Sequence, residues 1–319
     1  MPIPVGPPFD PELEGVLAAL ADKVPPTITA PMIEGFRAIP ADPSVGGLIE
    51  QVGAVRDERT IAGYAGADVA VSVIRGPQRT PGPAIVYLHG GGMIFGNRFG
   101  GVGAYLPFIQ SHGVVVVTVE YRLAPEHPDP VPVEDCFAAV QWVAKNAAEL
   151  GVDPARLIVA GQSAGAGLAA GVALLARDRG GPAIAAQVLV SPMLDDRNDT
   201  VSAHQIDGIG VWDRSSNDTG WTALLGARRG GDDVAASAAP GRVEDLAGLP
   251  PAFISVGSAE VFRDEAVSYA SRIWACGGVA ELHVWPGGFH GFENFAPDAR
   301  ISRAAAAARD GWLARTLGD

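Results

Sequence analysis

Along the middle of the chain, short apolar runs alternate with longer stretches whose apolar residues recur three to four positions apart. Strands are predicted at 69–74, 84–88, 114–120, 157–160, 186–191, 252–256 and 281–285. Helical patterns at 133–150, 164–176, 264–276 and 302–317 separate most of them. The run from Val114 to Val119 is apolar on both faces but for Thr118, as a mostly parallel sheet covered by helices requires. The expectation is a three-layer α/β fold. Two stretches break the alternation: residues 1–45, rich in Pro and Ala, and 197–240, polar but carrying Trp212 and Trp221. These are read as a lid (cap), with residues 46–196 and 241–319 as the catalytic domain.

Composition narrows the function classes. The chain has 319 residues, of which 48% are hydrophobic, enough for a large core rather than disorder. A net charge of -13, with Lys23 and Lys145 the only lysines, argues against nucleic acid and anionic membrane surfaces as partners. Cys136 and Cys276 show no metal or framework spacing and read as free thiols in a reducing compartment. The start, Met1-Pro-Ile-Pro, lacks the basic and apolar regions of a signal peptide, so cytoplasm is the expected location. Residues 157–176 are uncharged, but four glycines, Gln162 and Ser163 divide them into a strand, a turn and a buried helix rather than a membrane span.

In open α/β sheets chemistry collects at the carboxyl ends of the strands. Gly161-Gln-Ser-Ala-Gly165 lies where a strand gives way to a helix, a sharp turn that exposes a serine hydroxyl. Alone it is weak, with roughly 0.2 chance matches expected at this composition. His89-Gly-Gly-Gly92, about 0.01 by chance, is far more specific: bare glycines leave amides free to hold an anion. The serine needs a base. His290, in a glycine-rich loop after the last strand, has the place that the order serine, acid, histidine demands. His283 within a strand, His112 at a helix end and His204 in the lid read as structural or surface residues, and His89 as a brace for its own loop. For the acid, Glu260 follows a strand directly, Asp264 lies four residues on in the first helical turn, and Asp195 and Asp196 follow the preceding strand.

With these residues in hand, the chain resembles the bacterial hormone-sensitive-lipase family of carboxylesterases. His89-Gly-Gly-Gly92, Tyr121-Arg-Leu-Ala-Pro-Glu-His-Pro128, Gly161-Gln-Ser-Ala-Gly165 and His290-Gly-Phe292 are similar to that family's motifs, in order. Gln162 and Leu194-Asp-Asp-Arg197 look most like heroin-esterase-like members. The resemblance implies an α/β-hydrolase fold with a mostly parallel eight-stranded sheet and a helical cap. It implies Ser163 as nucleophile, His290 as base, and the amides of Gly91, Gly92 and Ala164 as the oxyanion hole. It also implies Glu260 as the acid, where the family usually has aspartate, with Asp264 structural. Gln162 likewise stands where aspartate is common. Glu126, in the Tyr121–Pro128 loop, is implied to fix the serine loop.

The expected activity is hydrolysis of short-chain carboxylic esters through an acyl-serine, with no metal or organic cofactor and a small-molecule ester as partner. Amidase, lactonase or thioesterase chemistry would use the same residues; a ligand-binding protein on this fold would more often lack one of the three. Phe95, Trp212 and Trp221 are expected to wall an apolar pocket. A homodimer is expected to use residues 281–285 as an edge strand.

Overall fold

Every residue of the strand Gly82–Leu88 is buried, because both faces of the sheet are covered. Ile85 and Tyr87 point into one apolar cluster, Val86 and Leu88 into the other, the period of two expected for a strand. The computed structural model describes residues 5–21, 23–77 and 80–318; the first four residues of the amino-terminal stretch read above lie outside them.

Among these residues the strands are β1 (Val55–Ala62), β2 (Asp68–Arg75), β3 (Gly82–Leu88), β4 (Val115–Glu120), β5 (Val152–Gln162), β6 (Ala186–Val190), β7 (Ala252–Gly257) and β8 (Ala280–Trp285). They form one sheet in the order β1-β2-β4-β3-β5-β6-β7-β8. β1 and β2 pair antiparallel, as do β2 and β4; all other pairs are parallel. This is the eight-stranded, mostly parallel sheet of an α/β-hydrolase.

The helices are α1 (Pro11–Leu20), α2 (Ile33–Arg37), α3 (Ser44–Gln51), α4 (Pro107–His112), α5 (Val131–Lys145), α6 (Ala147–Leu150), α7 (Ala164–Asp178), α8 (Val201–Gln205), α9 (Arg214–Leu225), α10 (Arg263–Ala275), α11 (Phe292–Phe295) and α12 (Arg300–Leu317). Side chains of α5, α7 and α10 join the cluster on one face of the sheet. Those of α3, α4 and α12 join the cluster on the other. No helix among the described residues is long and apolar enough to cross a membrane; the uncharged stretch 157–176 is divided between β5, the serine turn and α7.

Several expectations need correction. β1 was not predicted: half of its sequence, VRDERTIA, is charged and its side chains are mostly exposed, because it is an edge strand paired on one side only. The helix expected over 133–150 divides into α5 and α6 at Asn146, whose side chain donates to Trp142 O at 2.8 Å. Helix α3 runs across position 45 and packs Val45 and Ile49 into the cluster that α4 and α12 join.

The two irregular stretches meet. Thr27 Oγ1 donates to Asp213 Oδ2 at 2.5 Å, Ser216 Oγ accepts from Ile28 N at 2.7 Å, and Gln205 Nε2 donates to Val5 O at 3.1 Å. Trp221 is fully buried in the core cluster rather than exposed to a cavity. Cys136 and Cys276 are free thiols.

Candidate active site

Ser163 sits between β5 and α7 with φ 57° and ψ -121°, a left-handed backbone that an L-residue adopts only when its surroundings impose it. The flanking glycines show what imposes it. A Cβ on Gly161 would lie 2.2 Å from Gly165 O, and one on Gly165 would lie 2.0 Å from Leu88 O at the end of β3. The turn closes this tightly only with both positions bare. Ser163 N donates to Val190 O at 2.8 Å and Ser163 O accepts from Met193 N at 3.1 Å, so the neighbouring β6 end clamps the serine backbone.

His290 lies on the loop after β8, and two backbone–backbone hydrogen bonds tie that loop to the turn after β7. Ser258 N donates to Trp285 O at 2.8 Å and Ala259 N to Gly288 O at 3.0 Å. The backbones approach so closely that a Cβ on Gly257 would meet Gly288 O at 2.0 Å. This stitching brings the three side chains into line. His290 Nε2 is 2.9 Å from Ser163 Oγ, and His290 Nδ1 is 3.1 Å from Glu260 Oε1. Glu260 is fully buried, and its other oxygen accepts from Ser191 Oγ and Gly257 N, both at 2.8 Å. Three partners thus converge on its two oxygens and hold the carboxylate in place. The imidazole edge meets the ring of Phe262 at 5.1 Å.

The competing carboxylates have other partners. Asp264 accepts from Ser202 N at 2.7 Å and from Arg263 Nε at 2.7 Å. Burial alone would raise its pKa, but the hydrogen bonds of Arg263 and Ser202 outweigh that and hold the carboxyl below the ordinary aspartate range. Asp195 pairs with Arg197, and Asp196 with Arg242 and the amide of Gly230. Glu265, a residue passed over in the sequence, accepts from the amides of Leu194 and Asp195 on its two oxygens, while burial pushes its carboxyl well above the usual range. Ser191 was also passed over, although a serine at the carboxyl end of β6 is placed where functional loops converge.

The glycine loop faces the serine. A Cβ on Gly90 would lie 3.4 Å from Ser163 Cβ, one on Gly91 2.0 Å from Phe95 O, and one on Gly92 2.2 Å from the Trp212 ring. Among the described residues, the amides of Gly91, Gly92 and Ala164 donate to no protein acceptor and are free for a ligand oxygen. His89 braces this loop: its Nδ1 is 2.7 Å from Gly90 O, and its ring stacks on Tyr121 at 4.2 Å. Burial lowers the His89 pKa and keeps the imidazole neutral. Tyr121 Oη donates to His89 O at 2.7 Å, which places the Tyr121–Pro128 segment beneath the site.

Glu126 departs from what the resemblance implied. Its carboxylate pairs with Arg37 of α2 at 2.9 Å and is half-exposed, so it ties the amino-terminal segment down rather than the serine loop. The serine loop has a different tether, Gln162 Oε1 accepting from Asn294 Nδ2 at 2.8 Å. His283 pairs with Glu281 and His204 with Asp199, both away from Ser163, and His112 lies at the end of α4.

Ser163 and His290 open into a cavity of ≈ 410 Å³, walled on its apolar side by Phe36, Phe95, Val211 and Trp212. Among the described residues, no Asp, Glu, Lys or Arg side chain lines it.

Comparison with known proteins agrees with this architecture. Residues 85–294 match a family described as alpha/beta hydrolase fold. Carboxylesterase NlhH of Mycobacterium tuberculosis is 38% identical over 303 residues, covering 90% of either chain. A solved bacterial heroin esterase superposes with a TM-score of 0.86 at 35% identity over 98% of both chains. Esterase LipW from Mycobacterium marinum gives 0.84 at 33% over 99% of both. The sheet and the strand-to-helix serine turn are those of an α/β-hydrolase. Within that superfamily the chain belongs to the bacterial hormone-sensitive-lipase family and is a carboxylic ester hydrolase, with a heroin esterase among its similar structures.

Proposed function

We propose that the protein hydrolyses short-chain carboxylic esters with Ser163 as nucleophile, His290 as general base and Glu260 as the acid behind it. The observation that carries this reading is the unbroken relay from Glu260 Oε1 through His290 to Ser163 Oγ, with contacts of 3.1 and 2.9 Å. Glu260 Oε1 accepts a hydrogen bond from Nδ1–H, which leaves Nε2 as the acceptor facing Ser163.

In the first half-reaction Ser163 Oγ passes its proton to His290 Nε2 and bonds to the ester carbonyl carbon. The carbonyl oxygen takes the negative charge and is held by the amides of Gly91, Gly92 and Ala164. Each such donor is typically worth about 3 to 4 kcal/mol in the transition state. The bond to the alkoxy oxygen then breaks, and the leaving alcohol takes the proton from His290. In the second half, water gives a proton to His290 and attacks the acyl carbon; the acid leaves and Ser163 recovers its proton.

Among the described residues, no Asp, Glu, Lys or Arg lines the ≈ 410 Å³ cavity, which suits a neutral ester, and the rings of Phe95 and Trp212 suit a short apolar group beside the glycine loop. The irregular stretches 1–45 and 197–240 serve as the cap over this cavity, a role supported by the bonds from Thr27 and Ile28 to α9 and its N-cap. β8 lies at the sheet edge with Val284 exposed, and pairing of two copies there is the corresponding oligomer, read by size-exclusion chromatography. The decisive experiment for the reaction is Ser163→Ala. Turnover of chromogenic short-chain esters is expected to fall by at least about four orders of magnitude in a folded protein. Retention of most of the activity would remove Ser163 from the mechanism.

A further inference from the structure

Two cavities share a wall in this structure. The inner one, ≈ 410 Å³, contains Ser163 and His290; the outer one, ≈ 320 Å³, is a groove between α1 and the 208–211 loop, lined by Phe9, Leu17, Leu20 and Ile209. Val24 and Val211 belong to both linings. The outer groove is apolar for most of its length, and among the described residues its one ionisable lining residue, Glu14, is exposed to solvent. Gly208 and Gly210 bracket Ile209 with φ of 69° and 82°, and a Cβ on Gly208 would meet nothing within 4 Å. That loop has room to shift.

The groove lies on the histidine side of the site. Phe9 meets Phe289, the residue before His290, edge-on at 6.5 Å, and Asp10 N donates to Gly287 O at 3.0 Å. Val211 packs in one apolar cluster with Leu13, Phe289 and Phe292. Trp212 and Phe95, by contrast, cover the glycine loop. In acyl transfer the leaving oxygen takes its proton from the histidine Nε2 and must therefore lie beside it. An arm of the ester that departs on the His290 side is the alcohol.

Resting on the esterase reading above, we propose that the alcohol arm of the substrate passes between Val24 and Val211 and lies in the outer groove. The substrate class is then esters that join a short acid to an extended, unbranched apolar alcohol. The short acyl group stays beside the glycine loop, and the groove removes the alcohol's methylenes from water.

The test compares kcat/KM for ethyl, butyl, hexyl and octyl acetate with that for ethyl acetate, butyrate, hexanoate and octanoate, all below their solubility limits. Ile209→Asp and Leu17→Asp each place a carboxylate in the outer groove, and the 43% exposure of Ile209 makes that change compatible with folding. The wild-type ratio of octyl to ethyl acetate is expected to exceed one. In each variant it should drop about tenfold, the loss for about two methylenes returned to water, while the ratios across the acid series hold. An unchanged octyl-to-ethyl ratio in both variants, with ethyl acetate still turned over, overturns the groove assignment alone. So does a drop confined to the acid series. If none of these esters is hydrolysed in a Ser163-dependent way, the esterase reading falls and takes this inference with it.

Discussion

Asn294 Nδ2 donates to Gln162 Oε1 at 2.8 Å, joining the residue before Ser163 to the short helix after His290. The two loops that carry Ser163 and His290, the proposed nucleophile and base, are thus cross-linked by a neutral pair. Gln162→Ala and Asn294→Ala should each lower kcat about three- to tenfold through looser alignment. Because both remove the same contact, the double variant should be no worse than the poorer single one. Additive losses in steady-state kinetics would show that the pair does not act as a unit.

Glu260 and Asp264 have separable roles. Glu260→Gln keeps the shape but removes the charge facing the His290 imidazolium, and kcat should fall by about three to four orders of magnitude in a folded protein. Asp264→Asn should leave kcat within about tenfold. A larger activity loss in the Asp264 variant, with both proteins folded by circular dichroism, would reverse the assignment.

Asp264 should reveal itself in stability instead. Its folded pKa is depressed, so its contribution is present above the unfolded aspartate value, about 3.9, and is lost as pH falls through the folded value. Asp264→Asn should therefore lower Tm at pH 7, and the gap to wild type should narrow below about pH 4. A gap that stays constant across this range in thermal melts would mean the carboxylate charge contributes nothing.

Gly92 has φ 60° and a Trp212 ring where its Cβ would go. Gly92→Ala should cost about a hundredfold in kcat, comparable to the loss of one oxyanion donor. Adding Trp212→Ala frees the space and should restore part of that loss, leaving the backbone cost of a positive φ. The single and double variants assayed on one short ester decide the matter; no recovery in the double variant would count against steric contact as the cause.

Glu126 pairs with Arg37 in a half-exposed ion pair, an arrangement commonly worth no more than about 1 kcal/mol. Glu126→Ala should leave kcat within about threefold and lower Tm slightly. A hundredfold loss of kcat would return Glu126 to the serine loop, where the family resemblance had placed it.

What could be read from the chain alone was whatever a short window encodes. The apolar runs that became β2 to β7 are buried on both faces or nearly so, and their composition says as much. Ser163, His290 and the glycines of 89–92 were legible because tight turns and bare amides demand particular residues in adjacent positions. β1 was not, since an exposed edge strand has no buried face to impose a pattern. Nor could the chain decide among Glu260, Asp264, Asp195 and Asp196, or between Trp212 at the cavity and Trp221 in the core. Those choices depend on distances between segments remote in sequence, which exist only once β6, β7 and β8 lie side by side and carry their carboxyl-end loops together. Tertiary structure brought Glu260 to His290 and sent Asp264 to Ser202 and Arg263, because a hydrogen bond depends on a few ångströms of through-space separation that spacing along the chain does not encode.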